Sequence, residues 1–453
     1  GSSIMYDTTA FNLTMMYGLE AVTVPSNLEV GLKEWSPQNI SIKTNPEAII
    51  WAVDGVDDNS VAFAARLMEK GVEVRIIDKE ALLSKQSLSR GSIAVLAMDN
   101  PEYEDLSETV NSIASDLDIS VLSIESGFGA EELPDWGGRH FRLLERPQIA
   151  ILSQSGFSSY DVGVSWWSLD HHLGIRHSQI DASLVNYADL RRYNTIILPS
   201  GYRDMGEYEK KVLSDWMEQG GTLIAHAASS SALASEQGIG SVKLLQNTFE
   251  ESEKYNISLQ RELSALYEEL DIESVNSNKV DLDTAYPWEQ SEGKYPPSQL
   301  EYRDDWQSIF MPSGAFVSGR TDQEHWLTFG TNSTLPLLYR SYPVLMSDDS
   351  SEAPIRVGVF SDSAKANTYS TINWSDIPPG KELNVRMSGL LWPEAAQRIA
   401  NSAYLTRDRI GKGQLILFSG EPNFRGATLG TNRVWLNAVV YGAGLGTEPR
   451  INP

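Results

Sequence analysis

The chain has 453 residues, more than one ordinary hydrophobic core holds, so two or three domains are expected. Its 61 Asp and Glu against 36 Lys and Arg leave a formal charge of -25, which repels phosphate backbones and anionic lipid surfaces and sets both nucleic acid and membrane aside as partners. The absence of cysteine removes disulfides, thiolate metal sites and cysteine nucleophiles together, and no apolar run approaches the roughly 20 residues that span a bilayer.

Residues 1–44 hold many turn formers and few helical periods and read as a lead-in or linker. Gly1-Ser2-Ser3 lacks the basic and apolar regions of a signal peptide and reads as a cloning remnant, so the chain is expected to be a piece of a longer protein. From Glu47 the pattern changes. Ala48–Val53 is a short apolar run of buried-strand type, Asn59–Lys70 has helical spacing and stops at Gly71, and Val72–Ile77 alternates as a second strand. Ile93–Met98, Leu106–Leu117 and Ile119–Ile124 repeat strand, helix and strand, which predicts a small parallel α/β domain over residues 45–145. Asp54-Gly55 is not followed by the Gly-x-Gly-x-x-Gly spacing that lets a backbone approach a pyrophosphate, which argues against a dinucleotide site.

A second α/β unit is predicted over residues 146–453. It begins with the strand Gln148–Leu152 and a helix over Asp161–Leu173. The segment Asp189–Ser231 then spells out a strand (Thr195–Pro199), a helix (Met205–Glu218) stopped by Gly220-Gly221, and a strand (Thr222–Ala225) that runs into the turn His226-Ala227-Ala228-Ser229. Leu244–Leu270 reads as a long charged helix with Leu259, Leu263, Leu266 and Leu270 on one stripe, either a partner-binding face or a face packed on its own domain. Val275–Tyr302 is polar, with Pro287, Pro296 and Pro297, and reads as a surface loop or lid, so residues 244–305 form an insertion. Short apolar runs at His325–Phe329, Arg356–Phe360, Ala403–Thr406 and Gln414–Ser419, with a helix over Thr431–Tyr441, are expected to complete the second sheet. Ile149–Leu152, Thr195–Pro199, Thr222–Ala225 and Gln414–Ser419 are predicted to be buried strands of that one sheet.

The strand-helix-strand segment resembles the class I glutamine amidotransferase-like, flavodoxin-like core, in which the second strand delivers a cysteine at a sharp elbow. A wider resemblance rests on Tyr6-Asp7-Thr8-Thr9-Ala10-Phe11-Asn12-Leu13, Asp161-Val162-Gly163 with Trp166-Trp167, His325-Trp326-Leu327-Thr328-Phe329-Gly330, Gly411-Lys412-Gly413-Gln414 and Pro422-Asn423-Phe424-Arg425-Gly426. Together these phrases resemble the C-terminal, non-peptidase region of large bacterial zinc carboxypeptidases of the carboxypeptidase A-like family. The resemblance implies an accessory region of amidotransferase-like fold, periplasmic or extracellular, whose partner is an upstream peptidase domain that binds zinc through a His-x-x-Glu pair and a later His. In this chain none of the six histidines has Glu three residues on, so no cofactor or metal is expected in it and zinc belongs to the missing upstream domain.

The residues themselves offer weak catalytic candidates. His226 stands at the elbow, Ser229 follows as its nucleophile, and Asp161 or Glu421 is the orienting acid; the Gly-x-Ser-x-Gly frame is absent. Arg425 lies in the loop after Gln414–Ser419, where it suits a carboxylate or sugar, or else pairs with a buried acid such as Asp161. Trp166 and Trp167, with Trp288 and Trp306, form either a carbohydrate platform or core and lid packing. His171, His172 and His177 are the densest histidine group, but adjacent positions on a helix point about 100° apart. Three functions stay open: a silent accessory module (a pseudoenzyme), an independent hydrolase or amidotransferase-like enzyme using His226, and a carbohydrate- or peptide-binding module.

Overall fold

The computed structural model describes residues 11–22, 24, 45–130, 133–202, 205–267, 295–363 and 370–448. The lead-in carries a short helix, α1 (Leu13–Met16), capped by the Asn12 side chain. Met15 and Met16 of α1 pack on Phe316, Leu338 and Phe424, so this part of the lead-in is docked on the molecule.

The first sheet has five strands: β1 (Ile50–Val53), β2 (Val74–Ile77), β3 (Ile93–Leu96), β4 (Leu122–Ile124) and β5 (Phe141–Leu143). They lie in the order β4-β1-β3-β2-β5, and every pair is antiparallel. The expected parallel arrangement is therefore corrected. Its cause lies between β2 and β3, where Ala81–Leu83 and Gln86–Leu88 form a hairpin across Ser84 and Lys85, both with positive φ. A parallel neighbour requires a crossover, usually a helix, and a hairpin instead brings β3 back to run against both β1 and β2. Helices α2 (Ser60–Glu69) and α3 (Leu106–Asp116) cover one face, where Val61, Phe63, Val110 and Ile113 meet Val53, Val74 and Val95.

The second sheet has twelve strands, nine of them on one path. Five run parallel in the order β14 (Gly413–Phe418), β9 (Thr222–His226), β8 (Thr195–Leu198), β6 (Ile149–Ser153) and β7 (His177–Asp181). The other side of β14 continues antiparallel through β13 (Ala403–Ile410), β12 (Glu352–Val357), β10 (Ala315–Thr321) and β11 (Thr334–Tyr339). The result is one mixed α/β sheet. β6, β8, β9 and β14 are buried on both faces because helices cover both, while the edge strand β7 is polar and only partly buried. α5 (Glu207–Glu218) and α6 (Ala227–Leu233) lie on one side with Leu213, Trp216 and Leu233, while α10 (Leu429–Leu445) lies on the other with Val434, Trp435 and Ala438. A two-residue turn, Gly411-Lys412, joins β13 to β14. At Gly413 a side chain is impossible without rearrangement, since a Cβ there would stand 2.2 Å from the carbonyl oxygens of Met217 and Gly221.

Three further sequence expectations are corrected. His325–Phe329 is not a strand: Trp326–Thr328 is a 3-10 turn whose start is capped by His325, its Nδ1 accepting from the Leu327 amide at 3.1 Å. Leu244–Leu270 does not make one helix. Lys243–Leu244 pairs as a strand with Leu345–Met346, two 3-10 turns follow, and α7 begins at Ser252 and runs to Tyr267. Leu259 and Leu263 are buried, Leu266 is 44% exposed, and Leu270 lies outside the described residues. The proposed lid Val275–Tyr302 falls outside the described residues up to 294, as does Trp288, and its end belongs to α8 (Pro297–Ser308), where Pro297 takes the first helical position.

Arg433 in α10 joins the two sheets. It is 3% exposed, and its guanidinium donates to the carbonyls of Asp57 (2.7 Å) and Gly55 (2.8 Å), to Ser60 Oγ (3.1 Å) and to Asn437 Oδ1 (3.1 Å). Replacing it by Met should lower unfolding free energy by about 2–4 kcal/mol, because the carbonyls lose their donors in a site that water does not reach. Denaturant unfolding of Arg433→Met checks this, and a loss under about 1 kcal/mol contradicts it.

Candidate functional site

In open α/β sheets the loops at the carboxyl ends of parallel strands border a crevice. Here that crevice has a volume of about 810 Å³ and is lined by Ser200 and Tyr202 after β8, by Ala227 after β9, by Glu421 after β14, and by Arg340 and Tyr342 after β11.

The elbow lies on its floor. Ala227 follows β9 directly, opens α6 and has φ +45°, a left-handed conformation that a non-glycine residue adopts at a cost of about 1–2 kcal/mol. This is the geometry of a strand-to-helix nucleophile turn. The side chain at that point is a methyl group.

His226 is only 1% exposed and lies beneath the floor rather than in the crevice lining. The Trp435 indole N–H donates to His226 Nε2 at 2.7 Å, and the ring stands edge-on to Phe418. Burial pushes the imidazole down to about 3, so it is neutral in ordinary buffers. Ser229 Oγ donates to the Pro199 carbonyl at 2.6 Å, and Ser230 Oγ donates to the Phe418 carbonyl at 2.7 Å. Both hydroxyls thus satisfy strand ends. The suggested pairing of Ser229 as nucleophile with His226 as base is not assembled.

The acids fare differently. Glu421 and Asp161 are brought close enough to influence each other: burial first, and then the Asp161 charge, push Glu421 up to about 7, against the pull of Arg340, whose Nη1 is 3.7 Å from Glu421 Oε2. Burial also raises Asp161, a shift opposed by the Ser158 hydroxyl and by Arg340. The Tyr342 hydroxyl lies beside Glu421 and Arg340 but makes no hydrogen bond of normal geometry, and burial raises it well above its usual value. Arg425, central in the Phe424–Gly426 turn, also has positive φ, +51°, and lies 5.0 Å from the Phe424 ring centroid, with Arg340 5.3 Å from the same ring. No ion pair joins Arg425 to Asp161 among the described residues; the charge of Arg425 acts instead on Glu421.

The tryptophans lie elsewhere. Trp166 is 47% exposed, and Trp167 stacks on His171 at 4.9 Å and meets His172 edge-on at 4.6 Å. A Cβ at Gly426 would stand 3.1 Å from the Trp167 ring, so this residue packs on the Phe424–Gly426 turn and is not part of the crevice lining. Trp306 is partly exposed on α8 against Phe310. Among the described residues no group of three His, Asp or Glu side chains is placed to hold a metal. Sequence reasoning missed Arg340 and Tyr342. They follow a strand, Thr334–Tyr339, that it did not single out, and no spacing relates them to Glu421 about 80 positions later.

No family model matches the chain, and neither does any curated protein. Among solved structures it is similar to a ThuA-like protein from Bacteroides uniformis, at 12% identity over 67% of this chain and 95% of that one, with a TM-score of 0.31. It is also similar to a beta-galactosidase from Bacillus circulans, at 11% identity over 81% of this chain and 38% of that one, with a TM-score of 0.32. A cytoplasmic protein from Salmonella typhimurium shows 11% identity over 65% of this chain and 97% of that one, with a TM-score of 0.28.

Two predictions follow from this geometry. From sequence alone, His226→Ala is a change of about 1 kcal/mol; with the imidazole buried, the variant leaves a cavity and a stranded indole donor and should cost about 2–4 kcal/mol in denaturant unfolding. For Glu421, whose folded value of about 7 exceeds its ordinary 4.5, the folded state keeps a proton that the unfolded chain releases, so this group's stabilisation is present below 4.5 and lost as pH rises to 7. The stability of the native protein minus that of Glu421→Gln should therefore fall by about 1.4 kcal/mol per pH unit across that window. A difference that stays flat from pH 4.5 to 7 contradicts this placement of Glu421.

Proposed function

We propose that the chain is a catalytically silent module of amidotransferase-like fold that acts as an accessory region of a zinc metallocarboxypeptidase-like protein, orienting or stabilising an upstream peptidase domain. The observation that carries the reading is the elbow. A backbone held in a strained left-handed turn at Ala227 presents a methyl group where catalysis needs a nucleophile, and the adjacent imidazole is committed to Trp435. The phrases shared with the bacterial carboxypeptidase region support the parent class. With it come an exported location, a partner on the same polypeptide, and zinc held only in that partner.

An independent hydrolase is the second reading, and one feature favours it: burial and the Asp161 charge push Glu421 up to about 7 inside the crevice, where a general acid or base works best. The two readings separate in one assay. On the silent reading the purified chain releases no C-terminal residues from peptides with or without added zinc, hydrolyses no activated ester above the buffer rate, and retains no stoichiometric zinc after dialysis. Ester or amide hydrolysis that disappears in Glu421→Gln, with the fold intact by circular dichroism, establishes the hydrolase instead. The coding sequence upstream of Ser3 provides the independent check, since a peptidase domain carrying His-x-x-Glu is expected there.

A further inference from the structure

The crevice sits oddly in this protein's electrostatics. The chain carries a formal charge of -25, yet among the described residues the charged side chains lining the crevice are Arg340, Lys210 and a single acid, Glu421. Lys210 is held by Glu207 and the Gln237 carbonyl, so Arg340 is the cation more open to a ligand. Its Nε donates to the Ser313 carbonyl at 3.2 Å and its plane lies over Phe424, which fixes the guanidinium and leaves Nη1 and Nη2 for Glu421, Tyr342 and a guest. A planar fork held in this way suits a carboxylate better than a point charge does. The buried Tyr342 hydroxyl, close to Glu421 and Arg340 but without a hydrogen bond of normal geometry, lies beside it, and Ser200 and Ser231 add hydroxyls around the wall.

We propose that the crevice at the carboxyl ends of the parallel strands binds a small carboxylate-bearing molecule, anchored on Arg340 and Tyr342 and surrounded by the serine hydroxyls of the wall. The inference deepens the silent-module reading, because it gives the crevice a guest without giving it chemistry. Two sources share the chemistry, a sugar acid and the α-carboxylate of a short peptide, and about 810 Å³ holds either. Glu421 sets the pH range. It faces Asp161 from α4 (Ser159–Trp167), Arg340 and Tyr342 from the loop after β11, Tyr404 from β13 and Arg425 from the turn after β14; once ionised it competes with the guest for Arg340.

Titration calorimetry on the whole chain tests this with D-glucuronate against D-glucose, and with N-acetyl-glycyl-alanine against its C-terminal amide. At pH 6 one of the two acids should bind at least tenfold more tightly than its uncharged counterpart, and which acid does so names the source. Arg340→Gln should weaken that binding at least tenfold while thermal stability stays near that of the native protein, and Arg340→Lys should restore part of it. Affinity should fall between pH 6 and 8, and Glu421→Gln should remove that fall. Failure of both acids to bind, equal binding of acid and uncharged counterpart, or undiminished affinity in Arg340→Gln overturns the proposal. Turnover of a bound acid with Arg340-dependent affinity supports the crevice and sinks the silent reading, so the two failures are distinct.

Discussion

The architecture depends on a buried arginine. Arg433 enters from α10, a helix buried around almost its whole circumference, and satisfies the carbonyls of Gly55 and Asp57 in the loop that leads into α2. Asn437, one turn later, receives one of its hydrogen bonds and spends its own amide on the carbonyls of Leu327 and Phe329. A guanidinium can be buried only where acceptors surround it, and here they are two backbone carbonyls of one loop together with the side-chain oxygens of Ser60, Asp58 and Asn437. Gly330 must therefore lack a side chain, since a Cβ there would collide with Arg433 at 2.4 Å. Arg433 and Asn437 together thus fix the antiparallel first sheet, the helix that covers the large sheet, and the 3-10 turn at Trp326 relative to one another.

The same helix decides the character of the elbow. Trp435 is fully buried beneath β9 and fills its indole N–H requirement with His226, which commits the imidazole to the underside of the sheet. A general base needs a free lone pair facing its substrate. The strained turn at Ala227 aims α6 away from the strand and places a methyl group in the crevice lining.

Much of this was legible in the sequence, and the residues show why the rest was not. β6, β8, β9 and β14 are short apolar runs bounded by Gly, Pro or Asn, and a strand covered on both faces leaves that mark whatever its partners are. The direction of the first sheet left no such mark, because the hairpin over Ala81–Leu88 reverses the chain without any change of periodicity in the strands on either side. His325–Phe329 carries strand-type residues, but its backbone is tied up in local hydrogen bonds around His325, so local capping overrode propensity. At the site, Glu421 and Asp161 were found because topology places strand-end loops together. Arg340 and Tyr342 come from the antiparallel extension, and only the three-dimensional path of β11 brings them to the same crevice.

The position of β14 has a consequence for how the protein comes into being. Residues 413–418 pair on one side with β9 of the parallel half and on the other with β13 of the antiparallel half, so the central strand of the large sheet is also its last to be made. Until this segment has left the ribosome, two half-sheets carry open edges with unpaired amides and carbonyls. Vectorial synthesis therefore yields no finished large sheet on the way: its first strand, at residue 149, waits for more than half of the chain before the neighbour of its neighbour's neighbour arrives. The large sheet is in this sense closed by residues 413–418, and until they pair, the edges of β9 and β13 stay open to other strands.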